Sequence, residues 1–131
     1  MSKNLGDRGE TLVAQLLQAN GWQILAQQWR CRWGELDLVA RDRQWLIFVE
    51  VKTRSDGNWD ENGTLAINQQ KQGKLIKSAS LFLSQNPQFK DLSCRFDVAI
   101  IKSRSQPQDK SFNNQALELY LKEYIEQAFT P

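Results

Sequence analysis

Two apolar segments that carry carboxylates constrain this chain more than any other feature of its sequence. They run from Glu35 to Ala40 and from Trp45 to Lys52, and the polar residues 41–44 join them. Both have the length and composition of β-strands, and a short polar connection is typical of a hairpin. Acids inside apolar strands are destabilising unless a cation or hydrogen bonds compensate them. The hairpin therefore predicts a site that holds a cation.

The register of this hairpin decides where its charges point. With the connection centred on residues 42 and 43, Glu35 faces Glu50, and Asp37 lies diagonal to Glu50. Lys52, two residues beyond Glu50, projects from the same face. A slip of one residue would send the charges of the two strands to opposite faces. The predicted pairing thus collects three acids and one lysine on one face.

A hard divalent ion suits such a cluster, because Mg²⁺ takes oxygen ligands and is usually held by one or two carboxylates. The alternative is that the acids face solvent and Lys52 simply neutralises Glu50, as in surface pairs that contribute little to stability. Apolar residues on both faces of the second strand favour a covered sheet over this alternative. They are Leu46 and Phe48 on the face of Glu50, and Ile47, Val49 and Val51 on the other.

Composition narrows the chemistry that is available. The chain has no histidine, which excludes Ser-His-Asp and Cys-His catalysis and histidine-ligated zinc. Its two cysteines, Cys31 and Cys94, form no Cys-x-x-Cys motif, and we expect free thiols. A net charge of +2 does not by itself indicate a nucleic-acid partner. Hydrolysis would therefore depend on carboxylates, lysine and a hard cation.

The length of 131 residues predicts one domain, residues 1–131. No apolar run approaches the roughly 20 residues of a membrane helix, and the N-terminus lacks the layout of a signal peptide. We expect a cytoplasmic protein with no membrane partner.

The order of predicted elements indicates an α/β fold, with a central mixed sheet flanked by helices. The order is α-β-β-β-α-β, followed by a short strand and a short helix. The tail is ambiguous, since Leu117, Leu119 and Leu121 alternate like a strand whereas Tyr124 to Phe129 favours a helix. The other predicted elements are a helix from Gly6 to Asn20, a strand from Trp22 to Trp29, a polar loop from Ser55 to Gly63, a helix from Asn68 to Gln85, a strand from Arg95 to Ile101 and a polar excursion from Lys102 to Asn114.

Glu10 lies near the edge of the apolar stripe of the first predicted helix, in line with Val13 and Leu17. From there its carboxylate could reach the acids of the hairpin. The alternative is an acid near a helix N-terminus that is favoured by the helix dipole.

These residues resemble the PD-(D/E)xK nuclease core, and are most similar to the YraN-type family of Holliday junction resolvase-like bacterial proteins. Leu36 stands where the motif of the superfamily has proline. The motifs that carry the resemblance include Glu10, Gly34-Glu-Leu-Asp37, Phe48-Val-Glu-Val-Lys-Thr-Arg54, Lys71-Gln72 and Arg95-Phe-Asp-Val98.

The resemblance implies a restriction-endonuclease-like three-layer sandwich. It also implies that Glu10, Asp37 and Glu50 bind the metal together with the Val51 carbonyl, and that Lys52 is the signature lysine. The expected ion is Mg²⁺, with Mn²⁺ as an alternative. For Lys52 we favour an electrostatic role, because neighbouring carboxylates oppose the lowering of its pKa that a general base requires.

Basic and aromatic side chains near these motifs could contact nucleic acid. Arginine and lysine supply phosphate contacts without reading sequence, although each could equally belong to a solvated face. Trp33 and Trp59 could stack on unpaired bases, whereas core or turn packing is the alternative for Trp33, and Trp22, Trp29 and Trp45 are assigned to the core. The predicted nucleic-acid-binding residues are Arg30, Arg32, Arg54, Lys71, Gln72 and Lys74, and Arg41, Arg43 and Lys77 also lie near the motifs.

The leading functional hypothesis is a metal-dependent endonuclease that hydrolyses DNA, with branched or single-stranded intermediates as candidate substrates. The alternative is a nuclease-fold module that binds nucleic acid with little or no catalysis. Symmetric cutting of a junction would need two active sites, which makes a homodimer an attractive assembly.

Overall fold

The computed structural model describes residues 5–55, 67–105 and 117–130, which form an α/β fold with two α-helices and a mixed five-stranded sheet. This confirms the predicted α/β class with a mixed sheet. None of the described helices is long and apolar enough to cross a membrane. In chain order the elements are α1 (Leu5–Ala19), β1 (Gln23–Cys31), β2 (Gly34–Arg41), β3 (Trp45–Ser55), α2 (Gln69–Gln85), a short 3₁₀ helix (Pro87–Phe89), β4 (Ser93–Ser105) and β5 (Leu117–Phe129).

The sheet follows the order of the strands in the chain, from β1 to β5. Strands β3 and β4 pair in parallel, from Trp45 opposite Ser93 to Ser55 opposite Ser103, and the other three pairs are antiparallel. A parallel pair needs a crossover connection, and α2 lies in the connection between β3 and β4. Because two strands lie on either side of it, β3 is the central strand of the sheet.

Alternate residues of β3 pack into two separate apolar clusters. Phe48 belongs to a cluster that includes Phe82 of α2, whereas Val49 belongs to a cluster that includes Val13 of α1. Since neighbouring residues of a strand point to opposite faces, the two helices cover opposite faces of the sheet. The apolar runs on both faces of β3 predicted this covering.

The hairpin between β2 and β3 has a register two residues away from the predicted one. Leu38 pairs with Val49 and Arg41 with Leu46, so that the turn is centred on residues 43 and 44. The cause is Asp42, whose carboxylate accepts hydrogen bonds from the backbone N–H groups of residues 44 and 45 at 2.8 and 2.7 Å. A shift of two residues preserves the alternation of faces, so Asp37 still shares a face with Glu50.

The predicted short helix from Tyr124 to Phe129 is wrong, because β5 continues through these residues. The strand is irregular here: Phe129 pairs with Phe96 and Ile125 with Val98, which leaves extra residues in β5. Gln127 adopts a left-handed φ of 50° at this irregularity. As a result Ile125, Ala128 and Phe129 all pack on the same cluster, at the spacing of a helix.

Asp97 on β4 anchors this irregular part of β5. Its fully buried carboxylate accepts hydrogen bonds from Arg95 Nε and Nη2 at 2.9 and 3.0 Å. The Tyr124 hydroxyl and the Gln127 N–H also donate to it, at 2.6 and 2.9 Å. A buried carboxylate with this many donors is well compensated, so Asp97 has a structural role.

Helix α1 approaches β3 closely at Gly9. A Cβ atom added to Gly9 would overlap the hydroxyl oxygen of Thr53 on β3. This contact brings the turn of α1 that carries Glu10 against the end of β3 that carries Lys52.

Two predicted segments lie largely outside the described residues. The loop from Ser55 to Gly63 lies outside them beyond Ser55, where β3 ends. The polar excursion from Lys102 to Asn114 begins inside β4, which is longer than predicted and continues to Ser105. Beyond Ser105 it lies outside the described residues.

Replacement of Gly9 by alanine tests the close packing of α1 on β3. We expect Gly9→Ala to lower the free energy of unfolding by about 1–3 kcal/mol, the usual effect of overpacking. Gly73→Ala is the matched control, because no atom lies within 4 Å of its added Cβ and alanine favours a helix interior over glycine by about 1 kcal/mol. Urea unfolding measures both. Equal stabilisation by the two substitutions would contradict this packing.

Candidate functional site

The candidate site lies where β2 and β3 stop pairing. Their paired positions extend from Arg41 opposite Leu46 only as far as Leu38 opposite Val49. Beyond this point the carboxylate of Asp37 accepts a hydrogen bond from the backbone N–H of Val51, with Oδ2 and N 2.8 Å apart. A side chain thus replaces the backbone ladder, and a cleft opens between the strands.

Strand β2 is also irregular around Asp37. Leu36 packs in the cluster that contains α2, whereas Leu38 packs in the cluster that contains α1. Residues two apart share a face in a regular strand, so the side chains of β2 change face between these two leucines. Asp37 lies at this change of face.

Three carboxylates converge at this point. Glu10 of α1 and Glu35 and Asp37 of β2 each offer a carboxylate oxygen, and these oxygens all lie within 4.8 Å of one another. The residues Glu10 and Asp37 are buried, with 9 % and 8 % of their surface exposed. Oε1 of Glu10 is buried without a hydrogen-bond partner among the residues that the structure describes. An acceptor in this state is costly unless a cation or a proton satisfies it.

Burial and mutual repulsion raise the pKa values of these acids. The pKa of Asp37 rises to about 8, because of burial first and the charges of Glu50, Glu10 and Glu35 next, although the Val51 N–H opposes the shift. The pKa of Glu10 rises to about 7, mainly through burial, against a hydrogen bond from Gln28. Without a cation, the protein therefore binds protons at this cluster near neutral pH.

Glu50 lies in the same cleft but makes a different contact. Its Oε1 is 3.0 Å from Nζ of Lys71 in the first turns of α2. The cleft has a volume of about 350 Å³ and is lined by Gly6, Glu10, Asp37, Glu50, Val51, Lys52, Thr53, Arg54 and Lys71. The structure thus brings together the predicted residues Glu10, Asp37, Glu50 and Lys52, and it adds Glu35 as a third converging carboxylate.

The pKa of Lys52 is lowered. Burial is the largest cause, followed by the charge of Lys71, and these outweigh the opposing influence of Glu50. From the sequence we expected the carboxylates to prevent such a shift. The carboxylates do raise the pKa of Lys52, as expected, but burial and the neighbouring cations lower it by more.

The predicted nucleic-acid-binding residues divide between different environments. Arg54 and Lys71 line the acidic cleft. Lys71 and Lys74 also line a neighbouring cleft of about 390 Å³, which contains Trp33 and Glu35. Arg32 lies over the ring of Trp33, with Cζ 4.8 Å from the ring centroid.

Other basic residues are engaged elsewhere or lie at a distance. Arg30 pairs with Glu35, with Nε and Oε1 3.0 Å apart, and Gln72 donates a side-chain hydrogen bond to the Ile67 carbonyl. Arg41 packs over Phe89 near the turn end of the hairpin, opposite to the end where the acids lie, and Arg43 belongs to that turn. Trp59 lies outside the described residues.

Sequence reasoning placed Glu35 on the correct strand but did not assign it to the metal. The signal was its spacing of two residues from Asp37, which puts both acids on one strand face. Gln28 was missed entirely. Its side chain also donates a hydrogen bond to Asp7, with Nε2 and Oδ1 2.6 Å apart. A lone glutamine in a polar strand carries no sequence signal that it contacts acids of the first helix.

The chain is similar to other proteins over nearly its whole length. The model of the "Uncharacterised protein family UPF0102" matches residues 9–101, a range that includes all of the acids in the cleft. A UPF0102 protein of Synechococcus sp. (strain JA-3-3Ab) is 52 % identical over 127 residues, which cover 97 % of this chain and 92 % of that protein. Those of Thermosynechococcus vestitus and Nostoc sp. are 46 % and 44 % identical, over 98 % and 96 % of this chain and 95 % and 94 % of their own lengths.

The raised pKa values predict that the metal-free protein becomes less stable as the pH increases. Between about pH 4 and pH 8 the folded protein retains protons on Asp37 and Glu10 that the unfolded chain has released, so increasing pH favours unfolding. Urea unfolding in EDTA at pH 5 and pH 8 measures this effect. Asp37→Asn should lose less free energy of unfolding than the wild type over this range. The difference should be about 1.4 kcal/mol for each pH unit in which Asp37 is protonated in the folded protein but not in the unfolded chain. The exposed Asp91→Asn is the control, and an unchanged slope in Asp37→Asn would contradict the assignment.

Metal binding should reverse this loss of stability. At a hundredfold excess over its Kd, Mg²⁺ or Mn²⁺ should stabilise the wild-type protein by about 2.7 kcal/mol through mass action. Thermal unfolding with and without the metal measures the change, which Glu10→Gln and Asp37→Asn should abolish and Asp91→Asn should retain. Glu35→Gln and Glu50→Gln identify the third acid, because only substitution of the acid that binds the metal should reduce the stabilisation. Retention of the full stabilisation in Asp37→Asn would show that the metal binds elsewhere.

Proposed function

The chain belongs to the uncharacterised protein family UPF0102, and we propose that it is a metal-dependent nuclease that hydrolyses phosphodiester bonds in DNA. This family is the YraN-type family that the sequence predicted. The observation that carries the proposal is the convergence of three carboxylates beside Lys52, with one buried oxygen of Glu10 left without a partner among the described residues. Such a cluster fits a hard cation better than it fits a purely structural role.

The order of the elements supports a restriction-endonuclease-like fold of the PD-(D/E)xK class. One acid lies on the first helix, another on β2, and the Glu50-Val-Lys52 motif lies on the adjacent strand β3. The helices cover opposite faces of the mixed sheet, as in a three-layer sandwich. Fold alone does not establish activity, so the proposal depends on the chemistry of the cleft.

The donor set fits Mg²⁺ or Mn²⁺. Glu10 and Asp37 would hold the ion, with Glu35 or Glu50 as a further acid and the Val51 carbonyl as a neutral ligand. When bound, such an ion supplies charge neutralisation at the phosphate and a nucleophile at neutral pH. It would also satisfy the buried Glu10 oxygen and lower the raised pKa values of both acids.

The residues of the cleft position the substrate and neutralise its charge. Lys52 would orient the attacking water and neutralise negative charge that develops on the phosphate. Its pKa is lowered, which is the direction that proton transfer requires, so the two roles require separate tests. Lys71, held by Glu50, and Arg54 place two further cations at the cleft for the phosphate backbone.

One observation favours the second candidate, a binding module with little or no catalysis. Glu50 is paired with Lys71 and lies outside the group of three converging acids. If this pair persists when a phosphate binds, the Glu-x-Lys motif would serve mainly to hold cations against DNA.

The test incubates the purified protein with plasmid, single-stranded and four-way-junction DNA in Mg²⁺ or Mn²⁺. We expect cleavage of at least one substrate, and Asp37→Asn and Glu10→Gln should each reduce the rate at least a hundredfold, roughly the size of the electrostatic stabilisation that such a site provides. Lys52→Arg should retain part of the activity if the lysine acts by its charge, whereas Lys52→Ala should lose it.

Controls separate the nuclease from the binding module and from contamination. Asp91→Asn, an exposed acid in the turn before β4, should cleave like the wild type. Equal inactivity of Lys52→Arg and Lys52→Ala would assign proton transfer to the lysine. Binding without cleavage under all conditions would favour the module, and cleavage that persists in both Asp37→Asn and Glu10→Gln would refute the proposed site.

A further inference from the structure

The cleft beside the acids contains an aromatic side chain that the proposed chemistry does not use. Trp33 lies in the turn between β1 and β2, next to Gly34 and Glu35. With Glu35, Lys71, Lys74 and Leu75 it lines the cleft of about 390 Å³. Lys71 also lines the acidic cleft, and Glu35 belongs to the group of three converging carboxylates, so the two clefts adjoin.

Two cations lie over the indole ring of Trp33. Cζ of Arg32 is 4.8 Å from the ring centroid, and Nζ of Lys77 is 4.4 Å from it. Within the described residues, neither cation forms a salt bridge with a carboxylate. Their charges are therefore available to an anionic ligand.

The lysines of α2 continue this positive charge towards the acids. Lys71, Lys74 and Lys77 recur every three residues on α2 and are exposed. At a rise of 1.5 Å per residue, the ridge of lysines from Lys71 to Lys77 spans about 9 Å along the helix axis. A nucleic-acid strand that follows this ridge passes from the acidic cleft to Trp33.

We propose that Trp33 stacks on an unpaired base of the strand beside the scissile phosphate, so that the substrate is a nucleic acid with a single-stranded segment at the cleavage site. The phosphates that flank this base contact Lys74 and Lys77. This inference rests on the proposed function, since it places the base next to the acids that would cut the strand.

The energetics favour exchange of a cation for a base over the ring. A cation–π contact at an exposed site is weaker than the stacking of a base on an aromatic side chain. Lys77 has a flexible side chain, so it can leave the ring and pair with a phosphate. A blunt duplex offers no unpaired base inside the strand, and it would contact only the lysines.

The decisive experiment measures the affinity of fluorescent oligonucleotides in EDTA, where no cleavage occurs. The probes are a blunt duplex of two strands, the same duplex with a single-stranded extension, and single-stranded DNA. Trp33→Leu should weaken binding of the two probes that contain unpaired bases about 5- to 150-fold, the range that corresponds to the loss of one stacked base. Binding of the blunt duplex should change less than twofold. Trp33→Phe, which retains an aromatic ring, should restore most of the affinity.

Two further comparisons exclude a general loss of charge or folding. Lys77→Ala should weaken binding of the extended duplex, whereas the charge-matched Lys90→Ala, beyond the far end of α2, should not. One abasic position, moved along the extension, should locate the stacked base. At that position, the abasic site should weaken binding by the wild type as much as Trp33→Leu weakens binding of the intact strand. It should not weaken binding by Trp33→Leu any further.

The possible failures are distinguishable. An equal effect of Trp33→Leu on all three probes, no effect on any probe, or additive losses from the substitution and the abasic position would overturn the stacking proposal. These measurements do not depend on cleavage. A protein that cleaves DNA but binds it independently of Trp33 refutes only this inference. Trp33-dependent binding without cleavage refutes the nuclease and the cleavage site beside the base, and it retains the stacking contact.

Discussion

The hydrogen bond from the Val51 N–H to the Asp37 carboxylate fixes the geometry of the site. It lies where β2 and β3 stop pairing, and it holds the two strands at a set distance while a cleft opens between them. It also occupies one oxygen of Asp37, whose carboxylate lies close to those of Glu10 and Glu35. The position of Glu10 depends on the same point, since α1 packs closely on β3 through Gly9 and Thr53.

Among the described residues, the negative charge around this point is only partly compensated. Glu50 is compensated by Lys71 and Glu35 by Arg30, whereas the buried Glu10 oxygen has no partner among the described residues. Asp97 shows what full compensation looks like in this fold, because it receives four hydrogen bonds and is completely buried. The contrast between Asp97 and the Glu10–Asp37 pair separates a structural acid from acids that could hold a metal ion.

Much of this arrangement could be predicted from the sequence, because it depends on periodicity. The alternation of apolar residues on β3 placed Glu50 and Lys52 on one face and predicted helices on both sides of the sheet. The register could not be fixed in the same way. It depends on the Asp42 side chain, which accepts two backbone hydrogen bonds and moves the turn by one residue. Periodicity also failed at Gln127, where an irregular strand gives its apolar residues the spacing of a helix.

The parallel pairing of β3 with β4 has a consequence for how the site forms. Trp45 and Ser93 are neighbours in the sheet, yet all of α2 lies between them in the chain. The hairpin with the acids can close early through local contacts, but β3 is buried only after this long loop has closed, which is slow because of its entropy. During synthesis on the ribosome, the acids of the hairpin would therefore remain hydrated until β4 has emerged, and burial would strengthen their electrostatic interactions only after β4 has joined the sheet.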